Sequence, residues 1–407
     1  MELLAPAGGM EQLRAALHFG ADAVYLGGAR FGMRVRADNF AGDELARAVA
    51  CAHAAGARAY VTANALLHPD ETEPFRSYLH QAAEAGADAL LVADLGAFSL
   101  ARAEVPDLPL HVSTQASVTN AAAARAWAAL GATRIVLARE LSLDEIAQIR
   151  SALDPAVELE VFVHGSMCMA YSGRCLISNY LAGRDANRGN CAQPCRWSYA
   201  LEEEKRPGEF IPVEEAGGRS FILSSEDLMM LDHLDDLRAA GVDSLKIEGR
   251  VKSAYYTATV VNAYRQVLDG RPANELAGEL DAVSHRPYGT GFFYGPARQA
   301  VAGKEYSQTC DFIGVVEDCM PQPSGGFRLR TTLRNRFSAG CTLEVLAPGA
   351  PVRTFCPEQI VDEDGMPVAE AVKTAQAYTF AVPFGLQNGD ILRKRRVSPV
   401  TADAPGA

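Results

Sequence analysis

The sequence predicts a (β/α)₈ TIM-like barrel followed by a small all-β, barrel-like C-terminal domain. Three observations support this α/β fold class. Eight short apolar runs alternate with amphipathic, alanine-rich helical patterns before about residue 275. Several of these helical patterns end in a glycine just before the next apolar run. Beyond residue 275, alternating runs separated by glycine and proline replace the helical periodicity, which is typical of an antiparallel β domain.

The eight candidate strands have the length and apolar character of buried parallel strands. They are ELLAPA (from Glu2), DAVYLG (Asp22), RAYVTAN (Arg58), DALLVAD (Asp88), PLHVSTQ (Pro109), TRIVLARE (Thr133), LEVFVHG (Leu159) and DSLKIEG (Asp243). Eight such βα units make a barrel of about 250 residues. An open doubly wound sheet is the alternative, but the strand count is even and the sequence lacks the G-x-G-x-x-G fingerprint.

Glycines mark the predicted helix ends, because glycine readily adopts the left-handed conformation that terminates a helix. They are Gly20, Gly56, Gly86, Gly131 and Gly241. We place the barrel at residues 1–274, with a four-cysteine insertion at residues 165–220 after the seventh strand. Residues 275–300 form a junction, and residues 301–400 form the all-β domain.

Composition narrows the functional class. The 407 residues are 48% hydrophobic and carry a net charge of −12, which argues against generic nucleic-acid binding but leaves a local basic patch open. No apolar run approaches the roughly 20 residues that span a bilayer, so no membrane association is expected. The N-terminus lacks the features of a secretory signal, and nine cysteines, an odd number, fit a disulfide framework poorly. We therefore expect a cytoplasmic protein with reduced thiols.

Polar side chains occupy the predicted strands of the barrel. Because successive strand residues face opposite sides, Leu245 and Ile247 pack outward, and Lys246, Glu248 and Arg250 point inward. The same parity turns inward Thr62, Asn64, His111, Ser113, Gln115, Glu160, Phe162 and His164. Three further polar residues end strands, namely Asp94, Arg139 and Glu140. The carboxyl ends of the strands are where such barrels keep their active sites.

Seven of these residues are our candidate catalytic residues: Asn64, Gln115, Glu160, His164, Lys246, Glu248 and Arg250. The alternative is a satisfied buried ion-pair network, for example Lys246 with Glu160 or Glu248. Burying this many charges without a ligand is costly, which favours function for the set. Lys246 and Arg250 suit a small anionic molecule that carries a carboxylate.

Four cysteines follow the seventh strand: Cys168, Cys175, Cys191 and Cys195, with six, fifteen and three residues between them. Four thiolates in one insertion can bind zinc or an iron–sulfur cluster. Only the last pair has the tight spacing of a zinc knuckle, so the pattern favours a cluster, with zinc as the alternative. Four arginines in or beside the insertion would offset the negative charge of a cluster: Arg174, Arg184, Arg188 and Arg196.

The stretch EVFVHGSMCMAYSGRCLISNYLAGRDANRGNCAQPCRWSY resembles the signature of the peptidase U32 family, also called the collagenase-like proteases. Further similar motifs are AVYLGGARFGMR, STQASVTN, VLARELS, SLKIEGR and VSHRPYGTGFFYG. The C-terminal segment that ends in NGDILRKR resembles the C-terminal domain of that family. The resemblance covers nearly the whole chain.

This resemblance implies an enzyme, because bacterial members of the family insert oxygen into RNA or ubiquinone precursors. It implies a 4Fe-4S cluster on Cys168, Cys175, Cys191 and Cys195. It also implies 5-hydroxylation of the wobble uridine of tRNA, with prephenate as cosubstrate. Hydroxylation of rRNA is one alternative, and a non-catalytic redox or scaffold partner is another.

Collagenase-like peptidase activity is a further alternative. His164 followed by Ser166 and Cys168 is a conceivable nucleophile pair. However, the sequence contains neither H-E-x-x-H nor G-x-S-x-G, and Cys168 is better used as a cluster ligand.

Basic residues of the β domain are candidates for binding tRNA: Arg328, Arg330, Arg334, Arg336, Arg393 and Lys394. On a strand, Arg328 and Arg330 share one face, as do Arg334 and Arg336, so a positive stripe is expected. The alternative is a solvated strand face whose charges protect a sheet edge. A homo-oligomer, or a hetero-oligomer with a family paralogue, is left open.

Overall fold

Eight parallel strands form the first unit of the protein and close into a barrel. In the computed structural model they are β1 (Glu2–Pro6), β2 (Ala23–Gly27), β3 (Arg58–Ala63), β4 (Ala89–Val92), β5 (Leu110–Val112), β6 (Arg134–Val136), β7 (Glu158–Ser166) and β11 (Ser244–Ile247). Consecutive strands pair from β1 to β7, and β11 pairs with both β7 and β1, which closes the sheet. Each strand overlaps a predicted run, so the predicted barrel is confirmed.

Helices alternate with the barrel strands. They are α1 (Met10–His18), α2 (Asp43–Ala54), α3 (Thr72–Glu84), α4 (Leu95–Glu104), α5 (Ala121–Ala129), α6 (Leu143–Ser151), α8 (Leu234–Ala239) and α9 (Ala254–Leu268), while the short α7 (Ile177–Ala182) lies among the cysteines. All five predicted helix-end glycines have positive φ, from 76° to 99°. Asp94, which follows β4, caps the N-terminus of α4. Its carboxylate accepts a hydrogen bond from the Ala97 amide at 2.8 Å.

Short strands extend the barrel sheet beyond the predicted set. β10 (Asp227–Met229) runs antiparallel to the end of β7, and β12 (Tyr288–Gly289) pairs with β10. A further two-stranded pair joins β8 (Leu201–Glu202) to β9 (Phe210–Ile211). β7 is nine residues long because β10 covers the part of it that projects past the barrel.

The structure describes residues 1–34, 37–197, 201–202, 210–211, 225–298, 306–323 and 325–396. Much of the predicted insertion after residue 197 therefore lies outside the described residues. The chain divides into one unit of residues 1–278 and 284–307 and a second unit of residues 279–283 and 308–407. Most of the residues that we assigned to a junction, 275–300, belong to the first unit in this division.

The second unit is an antiparallel β domain, as predicted. Its strands are β13 (Cys310–Pro321), β14 (Phe327–Leu333), β15 (Phe337–Ser338), β16 (Leu343–Leu346), β17 (Arg353–Phe355), β18 (Ile360–Val361), β19 (Pro367–Val368), β20 (Glu370–Ala371), β21 (Ala377–Val382) and β22 (Ile391–Arg395). The second half of α10 (Ala277–Leu280) also belongs to this unit. Eight of these strands form one sheet in the order β17-β16-β22-β13-β14-β21-β18-β19. Its core includes Ile313, Leu329 and Phe380.

None of the helices in the described part of the chain combines the length and the apolar character that a membrane span requires.

Candidate functional site

The carboxyl ends of the barrel strands surround a narrow polar cavity of about 40 Å³, which we call the barrel mouth. Nine of its lining residues are among those predicted to point inward or to end a strand: Thr62, Asn64, Ser113, Gln115, Arg139, Phe162, Lys246, Glu248 and Arg250. The structure therefore brings together five of the seven candidate catalytic residues. The exceptions are Glu160 and His164.

Arg34 also lines the barrel mouth, although strand parity did not predict it, because it lies in the segment after β2. Its guanidinium lies 3.1 Å from the Glu248 carboxylate. Burial raises the pKa of Glu248, but Arg34 and Arg139 outweigh that effect and bring the pKa below its usual value. The available signal for Arg34 was its position in the motif AVYLGGARFGMR.

Arg250 is a buried cation in the barrel mouth. It donates hydrogen bonds to the Thr62 hydroxyl at 3.0 Å and to the Asn39 side-chain carbonyl, both of which are neutral. Its Nε has no hydrogen-bond partner among the described residues. Burial lowers the pKa of Arg250 to about 10, so the guanidinium stays charged at neutral pH. A bound carboxylate would compensate this charge.

Two side-chain amides complete the polar lining. The Asn64 amide nitrogen donates to the Ser113 hydroxyl at 3.0 Å. The carbonyl oxygens of Asn64 and Gln115 are buried and accept no hydrogen bond within the described chain. Buried acceptors are nearly always paired, so these two oxygens suit a ligand that carries hydroxyl groups.

Glu160 belongs instead to a buried layer of ion pairs inside the barrel. The ammonium group of Lys246 belongs to the same layer. Lys246 Nζ lies 2.7 Å from one Glu160 oxygen, and Arg134 lies 3.0 Å from the other. Arg134 also lies 2.6 Å from the Glu2 carboxylate, and the Ser244 hydroxyl donates to Glu2 at 2.8 Å. The alternative of a satisfied ion-pair network therefore holds for Glu160, which does not line the barrel mouth. Lys246 takes part in this layer and also reaches the mouth.

His164 does not point into the barrel, which corrects the parity prediction. The pairing of β7 with β11 shifts between Lys246 and Ile247, and this irregularity sets His164 opposite Ile247. Its ring packs against Tyr256 and Tyr264 of α9, with centroids 6.0 and 5.6 Å away. Burial lowers the pKa of His164 to about 3. The described residues show no hydrogen bond from His164 to Ser166 or Cys168, as a nucleophile pair would require.

The cysteines lie beside the barrel mouth. Cys168, Cys191 and Cys195 line one cavity of about 660 Å³, which we call the cysteine cavity. It shares Arg34 and Glu248 with the barrel mouth. Burial raises the pKa of Cys195, and the other three thiols contribute to the same shift. The other three thiols therefore lie within electrostatic range of the Cys195 sulfur.

Four thiols in one segment are a donor set that suits an iron–sulfur cluster or a zinc ion. Three of them line the cysteine cavity, and no three His, Cys, Asp or Glu side chains in the described ranges converge on one metal position. The Gln193 amide lies 3.3 Å from the Cys191 sulfur, a contact typical of cluster-binding loops. Cys168 is exposed, and the guanidinium groups of Arg139 and Arg34 bring the pKa of its thiol below the usual value.

The arginines of the cysteine segment mainly organise its backbone. Arg184 donates to the Cys191 carbonyl at 3.2 Å, and Arg196 donates to the Gln193 side chain at 3.1 Å. Arg188 forms a two-pronged ion pair with Glu71, with distances of 2.5 and 2.9 Å. Charge near the thiols therefore comes in part from the barrel arginines, which the spacing of the cysteines did not indicate.

The basic residues of the β domain fall into two groups. Arg328 and Arg330 project from the exposed face of β14, as predicted, and Arg334 and Arg336 are exposed in the turn after that strand. Arg393 is fully buried and lies 2.8 Å from Glu344 and 2.7 Å from Glu279, which removes it from the predicted RNA-binding stripe. On β22 it lies opposite Glu344 of β16, with which it pairs. Lys394 is half-buried and donates to the Arg336 carbonyl at 3.2 Å.

Comparison with known proteins identifies relatives over the whole chain. tRNA hydroxylation protein P1 of Bacillus subtilis is 37% identical over 404 residues, which cover 97% of this chain and 94% of the relative. tRNA hydroxylation protein P of Escherichia coli is 34% identical, with 99% and 98% covered. A 23S rRNA 5-hydroxycytidine synthase of Escherichia coli is 42% identical over 66% of this chain, but over only 39% of its own length.

Models of protein families also match this chain. The model of peptidase family U32 matches residues 8–302, and that of the family's C-terminal domain matches residues 308–393. Both matched ranges coincide closely with the two structural units. The chain therefore belongs to peptidase family U32.

Proposed function

We propose that this protein is an RNA hydroxylase that converts the wobble uridine of tRNA to its 5-hydroxy derivative. Two relatives that align over nearly the full chain are named tRNA hydroxylation proteins, and a third is named for hydroxycytidine synthesis in rRNA. The proposed cosubstrate is prephenate, a small dicarboxylate, and the proposed cofactor is a 4Fe-4S cluster. The protein would act in the cytoplasm.

The observation that carries this proposal is the buried cation of Arg250, whose hydrogen-bond partners among the described residues are neutral and which lines the cavity next to the cysteine cavity. The barrel mouth alone, at about 40 Å³, is smaller than an ordinary ligand pocket of 300–1,000 Å³. It adjoins the cysteine cavity of about 660 Å³ through Arg34 and Glu248. A dicarboxylate would place one carboxylate at Arg250 and extend towards Arg34 and the cysteine cavity. The free carbonyl oxygens of Asn64 and Gln115 would accept hydrogen bonds from its hydroxyl group.

Cys168, Cys175, Cys191 and Cys195 are the residues that would hold the cluster. A bound cluster would supply redox chemistry next to the cosubstrate. The protein's own contribution is to bind and orient the anion through Arg250 and to keep Glu248 ionised against Arg34.

The exposed arginines of the β domain would help to bind the RNA backbone. Arg328 and Arg330 alternate with buried Leu329 and Thr331, so both face solvent. Arg330 also lies 3.4 Å from Glu317, a surface pair that costs little to break. Reversing the charge of Arg328 and Arg330 should weaken tRNA binding in a salt-dependent manner, whereas unchanged binding would leave them as protection of the sheet edge.

The test is nucleoside analysis of tRNA from a deletion strain that lacks any redundant pathway. The expected result is loss of 5-hydroxyuridine derivatives, with recovery when the wild-type gene is returned. Anaerobically purified Cys168→Ala and Cys191→Ala proteins should contain less iron and sulfide than the wild type and should fail to restore the nucleoside. Unchanged 5-hydroxyuridine would overturn the tRNA proposal. A change confined to rRNA would favour the rRNA alternative, and peptide cleavage by the purified protein would favour peptidase activity.

A further inference from the structure

A third cavity, of about 450 Å³, adjoins the cysteine cavity on the barrel unit. We call it the outer pocket, and the lining residues that matter are Met167, Cys168, Met169, Glu226, Tyr294 and Arg298. It shares Met167 and Cys168 with the cysteine cavity, which in turn shares Arg34 and Glu248 with the barrel mouth. The three cavities therefore form a row, with the cysteines in the middle.

One side of the outer pocket is a flat apolar surface. Tyr294 is 52% exposed, but its hydroxyl is anchored, because it donates to the Asp236 carboxylate and lies 2.8 Å from Nδ1 of His233. Its ring also packs on His233, with centroids 4.8 Å apart. The nearly buried Met167 lies on the same pocket. A ring held in place yet exposed is suited to stacking on a planar ligand.

A carboxylate and a guanidinium supply the polar groups of the outer pocket. Glu226 is largely buried and lies 3.6 Å from Nε of the exposed Arg298, so this pair presents an acceptor and a donor side by side. Glycine at position 289 makes room for the carboxylate, because a Cβ there would lie only 2.1 Å from Glu226 Oε2. The edge of a pyrimidine base requires such a pair: an N–H that donates and a carbonyl that accepts.

We propose that the outer pocket receives a pyrimidine base turned out of the RNA stack, with its ring on Tyr294 and its polar edge at Glu226 and Arg298. Enzymes that modify a base inside a folded nucleic acid extrude it into such a pocket. The base would then lie next to Cys168, with the anionic cosubstrate two cavities away at Arg250. This inference rests on the proposed function and names the site at which its substrate binds.

Photo-crosslinking tests the site directly and does not depend on turnover. The probe is tRNA that carries 4-thiouridine at the wobble position, and the crosslinked peptide is mapped by mass spectrometry. The expected crosslinks lie within residues 167–169 or 290–298. Crosslinks confined to other parts of the protein would overturn the inference, even if the wild type restores 5-hydroxyuridine in cells. Failure of the wild type to modify tRNA would instead overturn the proposed function.

Variants separate stacking from folding. Tyr294→Ala should lower the crosslinking yield and the affinity for tRNA about tenfold, the expected loss for one stacked base. Tyr294→Phe keeps the ring but loses the hydroxyl that anchors it, so its affinity and yield should lie between those of Tyr294→Ala and the wild type. Leu130→Ala is the matched control, because Leu130 is equally exposed, at 50%, and follows α5. An unchanged yield for Tyr294→Ala would contradict the proposal, and mapping the wild-type crosslink keeps the test valid if that variant does not fold.

Discussion

Three arginines show that environment, and not residue type, decides what a charge does in this protein. Arg393 and Arg250 are both buried, whereas Arg328 is exposed. Arg393 is neutralised by Glu344 and Glu279, so it stabilises the β domain. Among the described residues the hydrogen-bond partners of Arg250 are neutral, which leaves its guanidinium available to an anionic ligand. The sequence placed Arg393 and Arg328 in one basic group, because strand parity alone does not reveal which face of a strand is covered.

Replacing Arg393 by alanine should destabilise the β domain by about 3 kcal/mol, because it removes the buried cation that pairs with both Glu344 and Glu279 and leaves Glu344 with the exposed Arg395. Arg328→Ala is the matched control and should change the free energy of unfolding by less than about 0.5 kcal/mol. Urea denaturation of both variants measures the difference. Equal stabilities would show that the Arg393 ion pairs contribute nothing net.

His164 should make the stability of the barrel depend on pH. Its pKa is about 3 in the folded protein and 6.5 when unperturbed, so the unfolded chain binds the proton more readily. The stabilising contribution is therefore complete above pH 6.5 and is lost as the pH falls towards 3. Between pH 7 and pH 5 this loss amounts to about 2 kcal/mol. His164→Phe, which keeps a ring among the tyrosines, should show a correspondingly smaller loss in urea denaturation, and an identical loss would refute the assignment.

At the scale of secondary-structure elements, periodic patterns predicted β7 and β11 but not the irregularity between them. Parity places residues correctly only while two strands stay in register, and it succeeded for Phe162 and Lys246. One shift after Lys246 was enough to turn His164 towards α9. The position of such a shift depends on packing between distant segments, which a local pattern does not contain.

An ion pair between Arg188 and Glu71 connects the cysteine segment to the barrel. Hydrogen bonding from Arg188 lowers the pKa of Glu71 to about 2, so the pair persists across the neutral range. Glu71→Gln should increase amide hydrogen exchange in residues 184–191 and lower the iron content of the purified protein. Glu73→Gln, at an exposed position on α3, is the control and should change neither. Unchanged exchange in Glu71→Gln would mean that other contacts hold the segment.

At the scale of the whole molecule, the features that could be predicted from the sequence are those that depend on residues close together along the chain. The eight βα units and the β domain could be identified from periodicity and helix-end glycines, and most of the barrel-mouth residues from parity. Arg134 and Arg34 could not be assigned, because their partners Glu2 and Glu248 lie far away along the chain. The row of three cavities is likewise a property of the closed barrel, in which residues from both ends of the first unit meet.

The most direct test of the proposed site is calorimetric titration of prephenate into the anaerobically purified full-length protein. The wild type should bind, and Arg250→Ala should bind at least about tenfold more weakly, because one charge-assisted carboxylate contact is lost. Arg328→Ala, which removes an exposed arginine of the other unit, should bind like the wild type, and thermal unfolding should verify that all three proteins are folded. Equal affinity of folded Arg250→Ala and wild type, or no binding by the wild type, would contradict an anion site at the barrel mouth.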